Sequence, residues 1–216
     1  MSIDPDAQEV LRGMVARYGS MISYSDSGEV TTTGRSNTAG LPRVTFSTLY
    51  KRPSYFRFSF ERRHACEAPA HGTTQHVAGS DRAGGYFTRK GYDDLVSEKS
   101  PITLELAIAR ATGISRGSAH TIGRLLLPEV GGRSLLNSLE PQRAADVAVD
   151  GTPCYAIRTR GPRGDHEEEL WIEMGSFLLR KLFSRREERE SVESRERITV
   201  DTPLEDSLFE RPNTDR

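Results

Sequence analysis

The spacing of apolar residues predicts a helix at the start of the chain. Asp4 is a suitable N-cap, Pro5 fits the first helical position, and Gly19 can end the helix in a left-handed conformation. Between these signals the apolar side chains recur every three or four residues and form one stripe: Ala7, Val10, Leu11, Met14 and Tyr18. We therefore expect an amphipathic helix that packs this stripe against the rest of the molecule.

Over residues 21–61 the apolar positions alternate, as in antiparallel strands that have one buried and one solvated face. A first strand starts with Ile22 and Tyr24 and continues past Gly28 to Val30 and Thr32. Two further strands are joined by a turn at residues 51–54, and their alternate apolar side chains are Val44, Phe46, Tyr50, Phe56, Phe58 and Phe60. We predict that the four phenylalanines lie on the concave side of one sheet and face the helices.

Two helices are predicted for the middle of the chain, after weaker strands at Gln75–Ala78 and Tyr86–Arg89. The first is Pro101–Gly113, and the second is Ser118–Leu127, which Pro128 stops. The first helix carries two apolar stripes, Ile102, Leu106 and Ala109 on one side and Leu104, Ile108 and Ala111 on the other. The second helix places Ala119, Ile122, Leu125 and Leu126 on one face. A helix that is apolar on two sides is usually enclosed between layers, so we expect these helices to form a lid over the sheet.

A further short helical segment is expected within Ser134–Leu139, and after Pro141 the alternation of apolar positions returns. The strands predicted there are Ala144–Val149, Cys154–Arg160, Glu168–Met174, Leu178–Phe183 and Glu190–Val200. No internal repeat and no linker rich in proline, glycine or serine divides the 216 residues. We therefore predict one α+β domain that spans residues 1–216.

The composition is compatible with an ordered domain and argues against nucleic acid as a partner. Hydrophobic residues make up 35% and charged residues 28%. The 30 basic and 31 acidic residues nearly cancel, whereas proteins that bind nucleic acid non-specifically carry a strong basic excess. No apolar run approaches the roughly 18 residues that would predict a transmembrane segment. The first residues lack the pattern of a signal peptide, so we expect a cytoplasmic protein, or a periplasmic or envelope protein if an export signal has been removed.

The sharpest candidate for a metal site is a group of four side chains that can all bind zinc, His64, Cys66, His71 and His76. Their spacing, H-x-C-x4-H-x4-H, matches no zinc motif, so we interpret the segment as a solvated loop and predict no metal. Cys66 and Cys154 are not expected to form a required disulfide. No phosphate loop, dinucleotide fingerprint or G-x-S-x-G elbow is present, so we predict no cofactor and no catalytic residue.

The segment Arg185–Arg197 is a run of charges of alternating sign. It contains five arginines and five glutamates, so its net charge is about zero. Such a segment neutralises itself and discourages aggregation between sheet edges. We interpret it as exposed strand edges or a polar hairpin.

Four segments in order along residues 7–212 match the pattern of one known family. They are the passage from Ala16-Arg17-Tyr18 to Ile22-Ser23-Tyr24, the hairpin over residues 50–58, the hairpin over residues 170–181, and the closing stretch over residues 202–209. Together they resemble the LolA-like lipoprotein-carrier family.

The resemblance implies an antiparallel β half-barrel of about 10–11 strands, with an N-terminal helix and a helical lid over the concave face. It also implies a non-enzymatic binding or carrier protein for lipid, acyl chains or lipoprotein in the bacterial cell envelope. The alternative is a regulatory or scaffold domain that binds a protein partner, as in the envelope-stress sensors related to this family.

The expected apolar cavity has eleven candidate residues: Val44, Phe46, Phe56, Phe58, Phe60, Leu104, Ile108, Ile122, Leu126, Leu170 and Ile172. Binding pockets and filled cores are both lined by apolar groups, so the sequence is compatible with either.

Overall fold

The computed structural model of the protein contains one antiparallel sheet. Within the residues that it describes, twelve strands belong to this sheet, and helices are packed against it. The described residues are 5–34, 43–63, 73–90, 95–97, 102–131, 137, 139–160, 164 and 166–212.

The first and last strands of the sheet are neighbours at its centre. The strands are β1 Ser23–Gly34, β2 Val44–Lys51, β3 Tyr55–Arg63, β4 Thr73–Asp81, β5 Gly84–Lys90, β6 Leu95–Ser97, β7 Leu139–Arg143, β8 Val147–Val149, β9 Thr152–Arg160, β10 Glu167–Glu173, β11 Leu179–Arg186 and β12 Arg189–Val200. The helices are α1 Ala7–Ser20, α2 Leu104–Ile114, α3 Ser118–Leu126 and α4 Pro128–Gly131, with a 3-10 helix at Asp206–Phe209. The order across the sheet is β6-β5-β4-β3-β2-β1-β12-β11-β10-β9-β7, and β8 also pairs with β9. Among the described residues the edge strands β6 and β7 do not pair with each other, so the sheet is an open half-barrel, as predicted.

Helix α1 begins at Ala7, two residues later than predicted, because its N-cap is Asp6, where a capping box forms. The amide of Glu9 donates to Asp6 Oδ1 at 2.8 Å, and the amide of Asp6 donates to Glu9 Oε2 at 3.0 Å. The predicted apolar stripe is buried as expected. Tyr18 also accepts a hydrogen bond from the amide of Leu179 at 3.2 Å, which ties α1 to β11.

The inner face of the sheet carries the phenylalanine row that the alternation predicted. Phe46, Phe56, Phe58 and Phe60 are all buried and belong to one apolar cluster with residues of α1, α2 and α3. The β2–β3 register places Phe46 opposite Phe60, which puts both rings on the same face. The predicted burial of these four rings on one face of the sheet is confirmed.

Of the two apolar stripes predicted for α2, that of Ile102, Leu106 and Ala109 is wrong. In the other stripe Ile108 and Ala111 are buried and Leu104 is half-buried. The N-cap of α2 is Thr103, whose Oγ1 accepts from the amide of Leu106 at 3.2 Å, so Ile102 precedes the helix and bridges to Gly85. The buried stripe is Ala107, Ile108 and Ala111, whereas Leu106 is 41% exposed and Ala109 is also exposed. Helix α2 rests on β4 and β5 beside α3, so one of its faces meets protein and the other meets solvent.

Helix α3 is instead the enclosed helix. All of its residues except His120 are buried, and it contacts α1, α2 and α4. It ends before Pro128 as predicted, but Pro128 also begins α4, because proline fits the first position of a helix. Of the short helix expected within Ser134–Leu139, Asn137 lies in a 3-10 turn and Leu139 begins β7, whereas residues 134–136 and 138 lie outside the described ranges.

The interpretation of the Arg185–Arg197 run as exposed edges is wrong in part. Residues 185–190 are exposed around the β11–β12 turn, as expected for a polar hairpin. Strand β12, however, pairs with β1 on one side and β11 on the other, so it lies inside the sheet. Two of its charged side chains, Glu193 and Arg195, are consequently buried beneath the helices.

Candidate functional site

The structure brings all eleven candidate cavity residues together between the sheet and the helices. Ten of them are buried members of one cluster, and Leu104 is half-buried and packs against it. They come from two halves of the sheet, because Leu170 and Ile172 lie on β10 and the phenylalanines on β2 and β3. The sequence analysis thus identified one continuous apolar region.

Aromatic rings form a continuous row across strands β2 to β5. The centroid distance is 5.4 Å between Phe46 and Phe58, 5.5 Å between Phe58 and Phe60, and 4.7 Å between Phe60 and His76. His76 then stacks on Phe87 at 6.0 Å. His76, one of the four side chains considered as possible zinc ligands, is therefore part of this row.

No group of three or more His, Cys, Asp or Glu side chains suited to a metal ion occurs in the described part of the chain. His64, Cys66 and His71 lie outside it. Cys154 is a free, buried thiol, and burial is the main cause of its raised pKa. Because its candidate partner Cys66 is not described, the absence of a required disulfide stays a prediction.

A buried ionic network, which the sequence analysis missed, lies beside the phenylalanine row. Arg195 donates to the carboxylates of Asp26 and Glu193, and the side chains of Arg195 and Asp26 are fully buried. The Arg195 guanidinium also lies 4.8 Å from the ring centroid of Phe46. Gly28 leaves room for this ring, because a Cβ there would be 2.5 Å from Phe46 Cζ.

The network joins the sheet to α3. Thr121 Oγ1 donates to Glu193 Oε2 at 3.1 Å, and Arg195 Nη2 donates to the carbonyl of Ser118 at 3.3 Å. Tyr24 Oη donates to Asp26 Oδ2 at 2.6 Å. Helix α3 is thereby fixed to β1 and β12 by polar contacts that are shielded from water, where they are stronger than at the surface.

Burial and neighbouring charge shift the pKa values of these groups in opposite ways. Burial is the main cause that raises the pKa of Tyr18 to about 12, and it raises the pKa of Tyr24 well above its usual value. Burial alone would lower the pKa of Arg195, but Glu193 and Asp26 raise it well above its usual value. Arg195 therefore stays charged, and the two tyrosines stay neutral, in any physiological medium.

A second cluster of polar side chains lies on the inner face near β9 and β10. Arg124 of α3 lies 3.6 Å from Glu168, and both side chains are 7% exposed. His166 lies 3.3 Å from the same carboxylate. The Arg124–Glu168 contact also holds α3 against the sheet.

The outer face of β9 to β12 carries a groove of about 620 Å³. Its apolar lining is Trp171, Phe183 and Val192, and the two rings are 4.7 Å apart. Charged side chains surround them and form the ion pairs Arg158–Glu169, Arg185–Glu190 and Arg160–Glu140. The groove lies on the outer face because Trp171 and Phe183 alternate with the buried Leu170 and Leu182.

The closing segment of the chain lies across the outer face of β3 to β5. Asp206 receives hydrogen bonds from Lys51 at 2.7 Å and from Arg82 at 2.6 Å. Tyr86 Oη donates to the carbonyl of Phe209 at 2.9 Å, and the Phe209 side chain is fully buried. The outer face is thus covered at one end of the sheet and carries a groove at the other.

Within the described ranges, no helix is both long enough and apolar enough to cross a membrane. Neither protein-family models nor curated proteins give a match to this sequence.

Solved structures do match this chain. The lipoprotein LppX of Mycobacterium tuberculosis gives a TM-score of 0.56 at 13% identity, over 92% of this chain and 97% of LppX. LprF of Mycobacterium bovis gives 0.56 at 15% identity, over 95% of this chain and 96% of LprF. An uncharacterised conserved protein of Thermus thermophilus gives 0.53 at 12% identity, over 97% of this chain and 95% of that chain. The chain therefore shares the fold of these proteins, and its open antiparallel half-barrel is the fold that the four sequence segments implied.

Proposed function

We propose that this chain is a non-enzymatic binding protein for the acyl chains of a lipid or lipoprotein. The main support for this proposal is the row of buried aromatic rings on the inner face of a sheet whose edge strands are unpaired with each other. An acyl chain would pack against Phe46, Phe58 and Phe60 beneath the helices. A carrier role in the cell envelope is the finer part of the proposal, and the shared fold with a mycobacterial lipoprotein supports it.

Helix α2 is the element that would move to admit the ligand. Its buried face is small, consisting of Ala107, Ile108 and Ala111, and Leu106 already projects into solvent. Helix α3 would remain in place, because Arg195 and Arg124 hold it to the sheet. The proposed binding space opens between α2 and the phenylalanine row.

The test combines copurified lipid with a binding measurement. Native mass spectrometry of the purified protein is expected to show bound acyl species, and a fluorescent fatty acid is expected to bind with displacement by unlabelled lipid. Replacing Phe58 with Ala should weaken binding and, to the extent that the ring is core, destabilise the fold by about 3–5 kcal/mol.

Phe183→Ala removes the same side chain from the outer face and is the matched control, expected to leave binding intact. A Phe58→Ala protein that loses the full amount of stability but binds the probe like the unaltered protein would mean that the row is a filled core. Absence of any bound acyl species and of probe binding would defeat the proposal.

The outer groove favours a second candidate, a regulatory or scaffold domain that binds a protein partner. An apolar centre with a charged border is the usual arrangement of a protein interface. Trp171→Ala should then abolish partner binding and leave fatty-acid binding unchanged. Loss of fatty-acid binding in the same variant would argue against a separate protein site.

A further inference from the structure

One row of side chains that crosses the inner face of the sheet changes from polar to apolar. Its five members lie on neighbouring strands, and each is the register partner of the next: Asp26, Thr48, Phe58, Ala78 and Phe87. Residues that are paired directly across an antiparallel sheet point to the same side, with Cβ atoms about 4.5–5.5 Å apart. The row therefore places a carboxylate and a hydroxyl beside the rings on which the acyl chain is proposed to lie.

The carboxylate of Asp26 accepts hydrogen bonds at one oxygen only. Its Oδ2 accepts from Tyr24 Oη at 2.6 Å and from Arg195 Nη1. Its Oδ1 has no partner among the described residues, although the whole side chain is enclosed and 0% exposed. A buried acceptor without a donor is costly, so a ligand that supplies an O–H or N–H group to this oxygen would be stabilised there.

Two neighbouring donors in the described part of the chain have no acceptor. Thr48 is 0% exposed and is the register partner of Asp26, and its Oγ1 forms no hydrogen bond. Arg195 is ion-paired with Asp26, and its buried Nε also forms no hydrogen bond. The three unpartnered atoms thus belong to side chains that are either in contact or directly opposite each other in the sheet.

A single hydroxyl group matches what these three atoms can bond. It offers one O–H donor, which suits Asp26 Oδ1, and two acceptor lone pairs, which suit the donors of Thr48 and Arg195. Carboxylate and ester groups offer no donor. The network also sets one guanidinium against two carboxylates, those of Asp26 and Glu193, so its charge disfavours an anionic group.

The two ends of the row lie near different helices. Helix α2 contacts β4 and β5, the strands that carry Ala78 and Phe87. Helix α3 is fixed beside the polar end, because Arg195 Nη2 donates to the carbonyl of Ser118 at 3.3 Å. A ligand admitted by movement of α2 would therefore hold its chain beneath α2 and its polar end beside α3.

We propose that Asp26, Thr48 and Arg195 bind the hydroxyl group of a neutral amphiphile, a long-chain alcohol or an acylglycerol, whose chain packs along Phe58 and Ala78. Asp26 accepts from the ligand hydroxyl, and Thr48 and Arg195 donate to its oxygen. The inference rests on the proposed function and adds to it the chemistry of the polar part of the ligand.

The experiment compares four competitors of a fluorescent fatty acid that share one chain length: dodecanol, monododecanoylglycerol, methyl dodecanoate and dodecanoate. The unaltered protein is expected to bind dodecanol at least about tenfold more tightly than methyl dodecanoate or dodecanoate, the contribution of one hydrogen bond to a charged group. The same advantage for monododecanoylglycerol would support an acylglycerol as the ligand, and its absence would support a simple alcohol.

Thr48→Val removes the hydroxyl and keeps the size of the side chain. The advantage of dodecanol should fall by about fivefold, the contribution of one neutral hydrogen bond, while the affinity for methyl dodecanoate stays unchanged. Because Thr48 Oγ1 has no partner among the described residues, the variant should keep its Tm. The matched control is Thr45→Val on the exposed face of the same strand, which should keep the full advantage.

Equal affinity of the unaltered protein for dodecanol and methyl dodecanoate, or a preference for dodecanoate, would overturn the inference and leave the proposed function intact. An advantage of dodecanol that Thr48→Val retains in full, or failure of dodecanol to displace a bound probe, would do the same. If neither the probe nor any of the four compounds binds, the proposed function is defeated together with the inference.

Discussion

At the scale of single residues, the unusual feature of this protein is a charged group at the centre of its core. Arg195 is enclosed by Asp26, Glu193 and the ring of Phe46, and none of these positions is open to water. Removing two carboxylates and an arginine from water is costly, and the cost is offset only while all three are paired. The network therefore makes the fold depend on a few specific side chains.

Replacing Arg195 with Met should destabilise the protein by about 3–5 kcal/mol, because it leaves two carboxylates buried without a counter-charge. Urea unfolding, followed by circular dichroism, measures this loss. Arg197→Met on the same strand is the control, since Arg197 is exposed and should cost no more than about 0.5 kcal/mol. Equal small losses in both variants would show that Arg195 is not enclosed as described.

At the scale of secondary-structure elements, α2 and α3 have different attachments. Helix α3 is buried on nearly all sides and bonded to β12, whereas α2 presents one narrow face to the sheet. Elements that bury less surface open more easily.

The amides of α2 are therefore expected to exchange with solvent faster than those of Phe56–Phe60, and to slow when a fatty acid is added. Hydrogen exchange read by mass spectrometry checks this, with α3 as the internal control that should stay protected throughout. Equal protection of α2 and β3, unaffected by any amphiphile, would contradict a lid that moves.

The closing segment on the outer face is expected to respond to acid. Hydrogen bonds from Lys51 and Arg82 lower the pKa of Asp206 to about 2. A carboxylate with a lowered pKa stabilises its attachment above its usual pKa of about 4, and this contribution is lost as the pH falls toward 2.

Asp206→Asn should remove the part of the pH dependence that lies between about pH 4 and pH 2. Protection of the Phe209 amide against exchange, followed across this range in both proteins, measures the effect. An unaltered protein whose segment keeps the same protection down to pH 2 would refute the role of Asp206.

Periodicity predicted the elements well where the buried face is decided locally. The phenylalanines of β2 and β3 alternate without exception, so their burial followed from the sequence. The two stripes of α2 could not be distinguished, because the choice depends on the Thr103 cap and on the position of α3. Glu193 and Arg195 resembled exposed strand residues for a similar reason: their burial arises from pairing with β1, which is distant in sequence. Strands β6 and β7 were too short, or too poor in apolar residues, to give an alternating signal.

The apolar part of the candidate site could be predicted from the sequence, whereas its charged part could not. All eleven apolar residues do meet, because each lies on a buried face that its own element defines. The ionic network around Arg195 could not be predicted, since Asp26, Glu193 and Thr121 come from three separate elements that meet only in the folded chain.

At the scale of the whole molecule, the sheet consists of two halves, β1 to β6 and β7 to β12, that meet through β1 and β12. The helical segment connects their far edges, and one apolar cluster spans both. A chain that ends at Arg186, and so lacks β12, is expected to remain sensitive to protease, because its two halves have no strand pairing between them. The full chain treated in the same way is the control, and equal resistance of the two would show that the halves fold independently.

The central β1–β12 pairing also sets the moment at which this protein can fold during its synthesis. Strand β1 leaves the ribosome early, but its second partner strand, β12, is translated near the end of the chain. Pairing between segments so distant in sequence also forms slowly. Until then the nascent chain has an incomplete sheet and exposes apolar strand faces that chaperones recognise. A polypeptide that cannot fold early stays threadable through a narrow secretion channel, which suits the envelope role proposed above.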